Sequence, residues 1–132
     1  MFGYKDKVKM SINPANKALV DTNIIIRALI DRNDVFNDIV ETYSEVHIPL
    51  SIFFETVFVL EKIYKQARPI IVDYISTIIS YENILAEKEI LKEILEIYLD
   101  RAGLSIIDCF LLAYSNTHKL ELKTFDKDLA KQ

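Results

Sequence analysis

Four carboxylates in apolar segments are the residues of this sequence best suited to chemistry. Asp21 follows the apolar run 18–20, and Glu55, Asp108 and Asp126 each lie within or directly beside a largely apolar stretch. An unpaired carboxylate is costly to bury, so each acid needs a cation, hydrogen-bond donors or water. Oxygen-only ligands suit Mg²⁺ or Mn²⁺, whereas zinc prefers cysteine and histidine. Together the four acids predict a site for Mg²⁺ or Mn²⁺.

Each acid also has a purely structural interpretation. Asp21 and Asp126 suit helix N-caps, and the pair Ser105 and Asp108 has the spacing of a capping box. Glu55 could point towards solvent. Both interpretations stay open for each acid taken alone, and the occurrence of all four in one chain favours a shared site.

The remaining reactive residue types are sparse. His47 and His118 are too isolated to serve as ligands and are interpreted as surface or strand-edge residues. Cys109 is the single cysteine, which excludes an intrachain disulfide and fits a reducing cytoplasm. The chain has two glycines, Gly3 and Gly103, and no glycine-rich phosphate-binding loop.

Length and composition indicate one domain with a sizeable core. The chain has 132 residues, of which 51% are hydrophobic, and a formal net charge of −4. No apolar run approaches the roughly 18 residues that span a bilayer, and the N-terminus lacks the apolar core of a signal peptide. We therefore expect no membrane partner. The negative charge counts mildly against a nucleic-acid partner. The four proposed ligands together carry −4, however, so the rest of the chain is neutral.

Strands and helices alternate in the predicted order. Strands separated by helices indicate a mostly parallel sheet covered on both faces. In such a sheet the C-terminal strand ends meet the following helix N-termini at one edge, where all four acids could converge. We expect residues 1–16 to be an N-terminal extension and 17–132 the domain. Strands are predicted at 18–20, 45–49 and 120–125, and residues 83–86 are either a short strand or a bridging loop. Helices are predicted at 24–30, 35–44, 51–66, 69–81, 87–101, 105–117 and from 126. The helix at 87–101 is predicted to stop where Gly103 adopts a left-handed conformation.

Four short motifs around the acids resemble those of the PIN-domain ribonucleases, particularly the VapC-like toxins of toxin–antitoxin pairs. Their order and rough spacing carry this resemblance, which covers about residues 18–130. The motifs are VDTN at 20–23, PLSIFFE at 49–55, SIIDCFLLA at 105–113 and KTFDKDL at 123–129.

The resemblance implies a three-layer α/β/α sandwich with a short, mostly parallel sheet, and a divalent-metal-dependent endoribonuclease. It implies that the four acids are the catalytic metal ligands for Mg²⁺ or Mn²⁺, and that neighbouring polar side chains orient these carboxylates. Those supporting residues are Thr22, Asn23 and Thr124.

The resemblance also implies RNA as substrate, a cognate antitoxin protein and a homodimer. Exposed basic residues are candidate phosphate contacts. They are Lys62, Lys65, Arg68, Lys119 and Lys123.

Three alternatives remain. One is a PIN-domain RNA-processing or decay factor without an antitoxin. Another is an aspartate-based phosphatase with Asp21 as nucleophile, although Asn23 stands where such enzymes usually have a second acid. The third is a non-catalytic binding module, whose melting temperature would not respond to metal.

Overall fold

Short strands and longer helices alternate along the part of the chain that the structure, a computed structural model, describes, which is residues 16–132. The extension predicted for residues 1–16 lies outside this range, except for Asn16. The elements are β1 Lys17–Leu19, α1 Thr22–Ile30, α2 Val35–Thr42, β2 Glu45–His47, α3 Leu50–Lys62, α4 Arg68–Ile79, β3 Ile84–Leu85, α5 Lys88–Asp100, α6 Ile106–His118 and α7 Lys127–Ala130.

The three strands form one parallel sheet in the order β1-β2-β3. Ala18 pairs with Val46, and Val46 pairs with Ile84 on the other side. Val46 and Ile84 are fully buried, because the helices between consecutive strands cover the sheet. The predicted parallel sheet and mixed α/β class are confirmed.

Helices supply most of the hydrophobic core. α3 buries Phe53, Val57 and Leu60, and α5 buries Leu91 and Ile94, each set at the spacing of one helix face. The long helical pair α5 and α6 packs together along its length. Between residues 16 and 132, no helix combines the length and apolar character needed to cross a membrane.

The strand predicted at 120–125 is wrong. After α6 the chain turns through Lys119, which has a left-handed φ of 55°, and then runs on without pairing to any strand of the described residues. Leu122 is only half-buried and Phe125 is fully exposed. The alternating apolar and polar residues of this segment therefore do not form one buried face and one solvent-exposed face. Leu129, which is 3% exposed, fixes this tail to the core instead.

Several predicted helix ends also differ, and the largest difference is at the end of α3, which lies at Lys62 and not at residue 66. α3 begins at Leu50 with Pro49 as its N-cap, one residue before the expected cap Ser51. Gly103 does not adopt a left-handed conformation. α5 ends instead at Arg101, which takes an extended φ of −119° while its N–H still bonds to the carbonyl of Ile97 at 2.8 Å.

Candidate active site

Asp21 lies where the first strand ends and the first helix begins. The preceding residue, Val20, still donates its N–H to the carbonyl of His47, the last residue of β2, at 3.3 Å. Asp21 is exposed and is the N-cap of α1, where its Oδ1 accepts from the N–H of Ile24 at 3.3 Å. A carboxylate at this position is also favoured by the positive end of the helix dipole.

The hydroxyl of Thr22 joins this strand end to α3. Thr22 is 7% exposed, and its Oγ1 donates a short hydrogen bond to Oε1 of Glu55. The contact connects the first turn of α1 to the second turn of α3, 33 residues further along the chain. Glu55 itself is exposed, which agrees with the solvent-facing interpretation left open by its sequence. Water and Thr22 solvate its charge.

Asp108 forms the capping box that its spacing suggested. Its Oδ2 accepts from the N–H of Ser105 at 3.3 Å, and its own N–H donates to Oγ of Ser105 at 3.2 Å. Two residues later, Phe110 packs against Phe54 with ring centroids 5.2 Å apart. Since Phe54 precedes Glu55, this contact places the second turns of α3 and α6 side by side.

Asp126 is the N-cap of the last helix. Its Oδ1 accepts from the N–H groups of Asp128 at 2.9 Å and Leu129 at 3.0 Å. The backbone N–H of Asp126 donates to Oγ1 of Thr124 at 3.0 Å. Thr124 therefore orients the backbone at Asp126, while Asn23, the other expected supporting residue, is exposed on α1.

The structure brings two of the four acidic segments into direct contact, those of Asp21 and Glu55. Across residues 16–132, no group of three or more acidic, histidine or cysteine side chains is placed to hold a metal. The donors fit a hard divalent cation in type, since all are carboxylates. Asp108 and Asp126 are bonded to backbone amides at their own helix ends.

A cluster around Arg68 was not foreseen, and the expectation that Arg68 is exposed is wrong. Its side chain is 18% exposed and lies over the ring of Tyr98, with its central carbon 4.0 Å from the ring centroid. Its guanidinium donates to the carbonyls of Tyr98 at 2.8 Å and Leu104 at 2.7 Å, and lies 3.6 Å from Glu61. These contacts join α3, α4 and α5 to the loop before α6. No local pattern signals the two carbonyl contacts, because Tyr98 and Leu104 lie 30 and 36 residues further along the chain.

The same cluster controls two pKa values. Burial alone would raise the pKa of Glu61, but a hydrogen bond from the Tyr98 hydroxyl and the nearby Lys62 and Arg68 lower it below its ordinary 4.5. Burial and the Glu61 carboxylate raise the pKa of Tyr98. Burial also raises the pKa of Cys109 to about 11, so this thiol stays protonated and unreactive at neutral pH.

The other candidate phosphate contacts are on the surface. Lys65 and Lys119 are exposed at turns with left-handed φ values of 56° and 55°. Lys62 is exposed 3.3 Å from Glu61, and the exposed Lys123 lies 2.7 Å from a carboxylate oxygen of Glu121.

Within residues 16–132, neither histidine belongs to a group of three or more side chains that could hold a metal. His47 Nε2 forms a hydrogen bond with Glu45 at 2.9 Å, and His118 stacks on Tyr114 with ring centroids 4.2 Å apart.

Comparison with known proteins gives one match. The family model of the PIN domain matches residues 18–132. No curated protein and no solved structure matches the chain. PIN domains are generally metal-dependent nucleases, and the parallel sheet with its surrounding helices is consistent with their fold. Because the match covers nearly the whole chain, the protein belongs to the PIN domain family.

Proposed function

We propose that this protein is a divalent-metal-dependent endoribonuclease that hydrolyses RNA phosphodiester bonds. The observation that carries the proposal is the hydrogen bond from Thr22 to Glu55, beside Asp21 at the end of β1. It joins two acidic motifs from distant parts of a PIN domain at the sheet edge where α/β proteins bind ligands. Asp108 lies near the N-terminus of the neighbouring helix α6, which supports the same site.

The roles of the residues follow from their positions. Asp21, Glu55, Asp108 and Asp126 would hold the cation, and Thr22 holds one oxygen of Glu55 in place so that its other oxygen stays available. A bound Mg²⁺ or Mn²⁺ would supply positive charge that polarises the scissile phosphodiester and favours deprotonation of the attacking water. Asn23 and Thr124 would orient these carboxylates or hold metal-bound water without binding the cation themselves.

RNA would be held by exposed lysines around these acids. Arg68 is removed from the proposed set, because its guanidinium is committed to backbone carbonyls. Each remaining lysine would contribute to affinity through phosphate contacts whose strength falls with salt. They are Lys62, Lys65, Lys119 and Lys123.

The direct test is cleavage of bulk RNA with Mn²⁺ and with EDTA. We expect activity only with metal, and a loss of at least about a hundredfold in Asp21→Asn and Asp108→Asn, because even groups that merely support ligands contribute 10- to 100-fold. Asparagine caps helices as well as aspartate, so Asp21→Asn should keep its melting temperature. Asp73→Asn, an exposed acid on α4, is the matched control. Full activity in EDTA would refute the metal mechanism.

We further propose that the nuclease is the toxin of a toxin–antitoxin pair, acting in the cytoplasm as a homodimer. The support is the resemblance of its four motifs to VapC-like toxins. Expression of the wild type should arrest growth, and Asp21→Asn should not. Co-expression of the product of a neighbouring gene should restore growth. Arrest without any relieving neighbour would favour an RNA-processing or decay factor.

A non-catalytic PIN-like binding module is the second candidate. The observation that favours it is that Asp21, Asp108 and Asp126 each cap a helix, which gives every one of them a structural role. This candidate predicts that Mn²⁺ leaves both RNA and the melting temperature unchanged. Metal-dependent cleavage that is lost in Asp108→Asn would exclude it.

A further inference from the structure

A row of aromatic side chains follows one face of α6 and lines an open groove. Phe110, Tyr114 and His118 are spaced four residues apart, and successive ring centroids are 5.6 Å and 4.2 Å apart. Phe54 of α3 extends this aromatic row beyond Phe110. The groove has a volume of about 650 Å³, and Tyr114 is 43% exposed within it. Ring surface is therefore open to a ligand.

The side of the groove formed by α5 is acidic. Glu87, Glu89 and Glu93 line it, and Lys88, which also lines it, donates from its Nζ to the carbonyl of Tyr81 at 2.9 Å. Glu93 accepts hydrogen bonds from Asn116 at 3.5 Å and Thr117 at 3.3 Å, both long, and a carboxylate can accept about four. This lining disfavours a phosphate in the groove and favours an uncharged group with N–H donors.

We propose that this groove binds an unstacked guanine base of single-stranded RNA. The base would stack on Tyr114 and direct its Watson–Crick edge to Glu93. Proteins recognise single-stranded RNA in this way, by aromatic stacking and hydrogen bonds to base edges. Among the common bases, guanine alone presents two adjacent donors, N1–H and the N2 amino group, to one carboxylate.

The position of the groove connects it to the acidic site. The aromatic row begins at Phe54, next to Glu55, and at Phe110, two residues after Asp108. Two turns of helix further, about 11 Å along α6, it ends beside the exposed Lys119. A strand with its scissile phosphate at the acids could thus place a neighbouring base in the groove. The inference rests on the proposed nuclease function, since it names a base of that substrate.

The test measures binding without cleavage. The probes are 2′-O-methyl uridine tetramers with one position changed to guanosine, adenosine or cytidine, titrated calorimetrically in EDTA. We expect the guanosine tetramer to bind about tenfold more tightly than the others. Tyr114→Ala and Glu93→Gln should each abolish this preference, whereas Tyr114→Phe, which keeps the ring, should retain it.

Two controls lie outside the groove, and the first of them matches Tyr114 in exposure. Tyr64→Ala removes a tyrosine that is 41% exposed, and Glu96→Gln neutralises an exposed acid on α5. Both should bind like the wild type. Equal affinity for all four tetramers, or unchanged preference in Tyr114→Ala, would overturn the proposal.

Two further readouts separate the possible failures. If Tyr114→Ala changes the oligomeric state in size-exclusion chromatography, the row is a protein contact and the proposal is overturned. If RNA is cleaved with Mn²⁺ but no base is preferred, only this inference fails. If guanine is preferred but no RNA is cleaved, the proposed guanine site is supported and the proposed nuclease function is contradicted.

Discussion

At the scale of single residues, the hydroxyl of Thr22 is the group that links the acidic segments. It is nearly buried, whereas its partner Glu55 is exposed and could otherwise rotate freely in water. A hydrogen bond to a charged acceptor is stronger than one between neutral groups. Thr22 therefore orders a carboxylate that burial does not order.

The first prediction concerns this hydroxyl. Thr22→Val should lower Mn²⁺-dependent RNA cleavage by about 10- to 100-fold, the range for groups that orient metal ligands. The free energy of unfolding should change by less than about 1.5 kcal/mol, because the exposed Glu55 can bond to water. Cleavage rates at increasing Mn²⁺ concentrations measure the effect.

Thr22→Ser is the control for this prediction, since it restores the hydroxyl. It should recover most of the cleavage activity. If Thr22→Val and Thr22→Ser are equally impaired, the methyl group matters and the hydrogen bond to Glu55 does not.

At the scale of elements, Arg68 connects four parts of the chain. Its hydrogen bonds to the carbonyls of Tyr98 and Leu104 tie the start of α4 to the end of α5 and to the loop that leads into α6. The adjacent carboxylate of Glu61 balances its charge. Because Asp108 is in the first turn of α6, the cluster also determines where that acid is presented.

The second prediction is that Arg68→Met lowers the free energy of unfolding by about 2–4 kcal/mol, because it removes charged hydrogen bonds and leaves Glu61 without its partly buried partner. Lys65→Met, on the exposed turn before α4, should change it by less than about 0.5 kcal/mol. Urea unfolding followed by circular dichroism measures both. Equal losses in the two variants would show that the cluster contributes nothing specific.

The third prediction concerns pH. The pKa of Glu61 is lowered in the folded protein, so between its folded value and 4.5 the unfolded chain binds more protons. Its contribution to stability is therefore complete above pH 4.5 and is lost as the pH falls through the folded pKa. The difference in unfolding free energy between wild type and Glu61→Gln should shrink below pH 4.5. A constant difference at all pH values would contradict the assignment.

At the scale of the whole molecule, the acidic segments meet only through tertiary packing. Two of them are joined by a hydrogen bond, and a third is on a neighbouring helix. Like charges that approach each other destabilise the fold until a cation neutralises them. Metal binding should therefore raise the free energy of unfolding of the whole domain.

The fourth prediction is that Mn²⁺ raises the melting temperature of the wild type. A ligand at roughly 100 times its Kd stabilises the folded state by about 2.7 kcal/mol. Asp21→Asn should respond less, and Asp73→Asn should respond like the wild type. Differential scanning fluorimetry with Mn²⁺ and with EDTA measures the shift. An identical shift in all three proteins would mean that the metal binds elsewhere.

Much of the element order could be read from periodicity. Strands form at 17–19, 45–47 and 84–85, the last being one of the two alternatives for 83–86, and the helices between them are present because their apolar residues match the faces they bury. β1 is less buried than its apolar run suggests, since Leu19 is 71% exposed. The alternating pattern at 120–125 gave a wrong strand prediction. A strand also requires a neighbouring strand with free backbone N–H and C=O groups, and this segment has no such partner among the described strands. Most helix ends shifted by one or two residues because local caps compete with packing, and the end of α3 shifted by four, from 66 to Lys62.

The sequence by itself determined the α/β class, the positions of Asp21, Asp108 and Asp126 at helix N-termini and the capping box with Ser105, because these depend on neighbouring residues. Only the tertiary structure decided that Glu55 is exposed and held by Thr22, and that Arg68 serves the core instead of the surface. These contacts join residues at least 30 positions apart. No local pattern encodes them, since a side chain's partners across such distances depend on how the whole core packs.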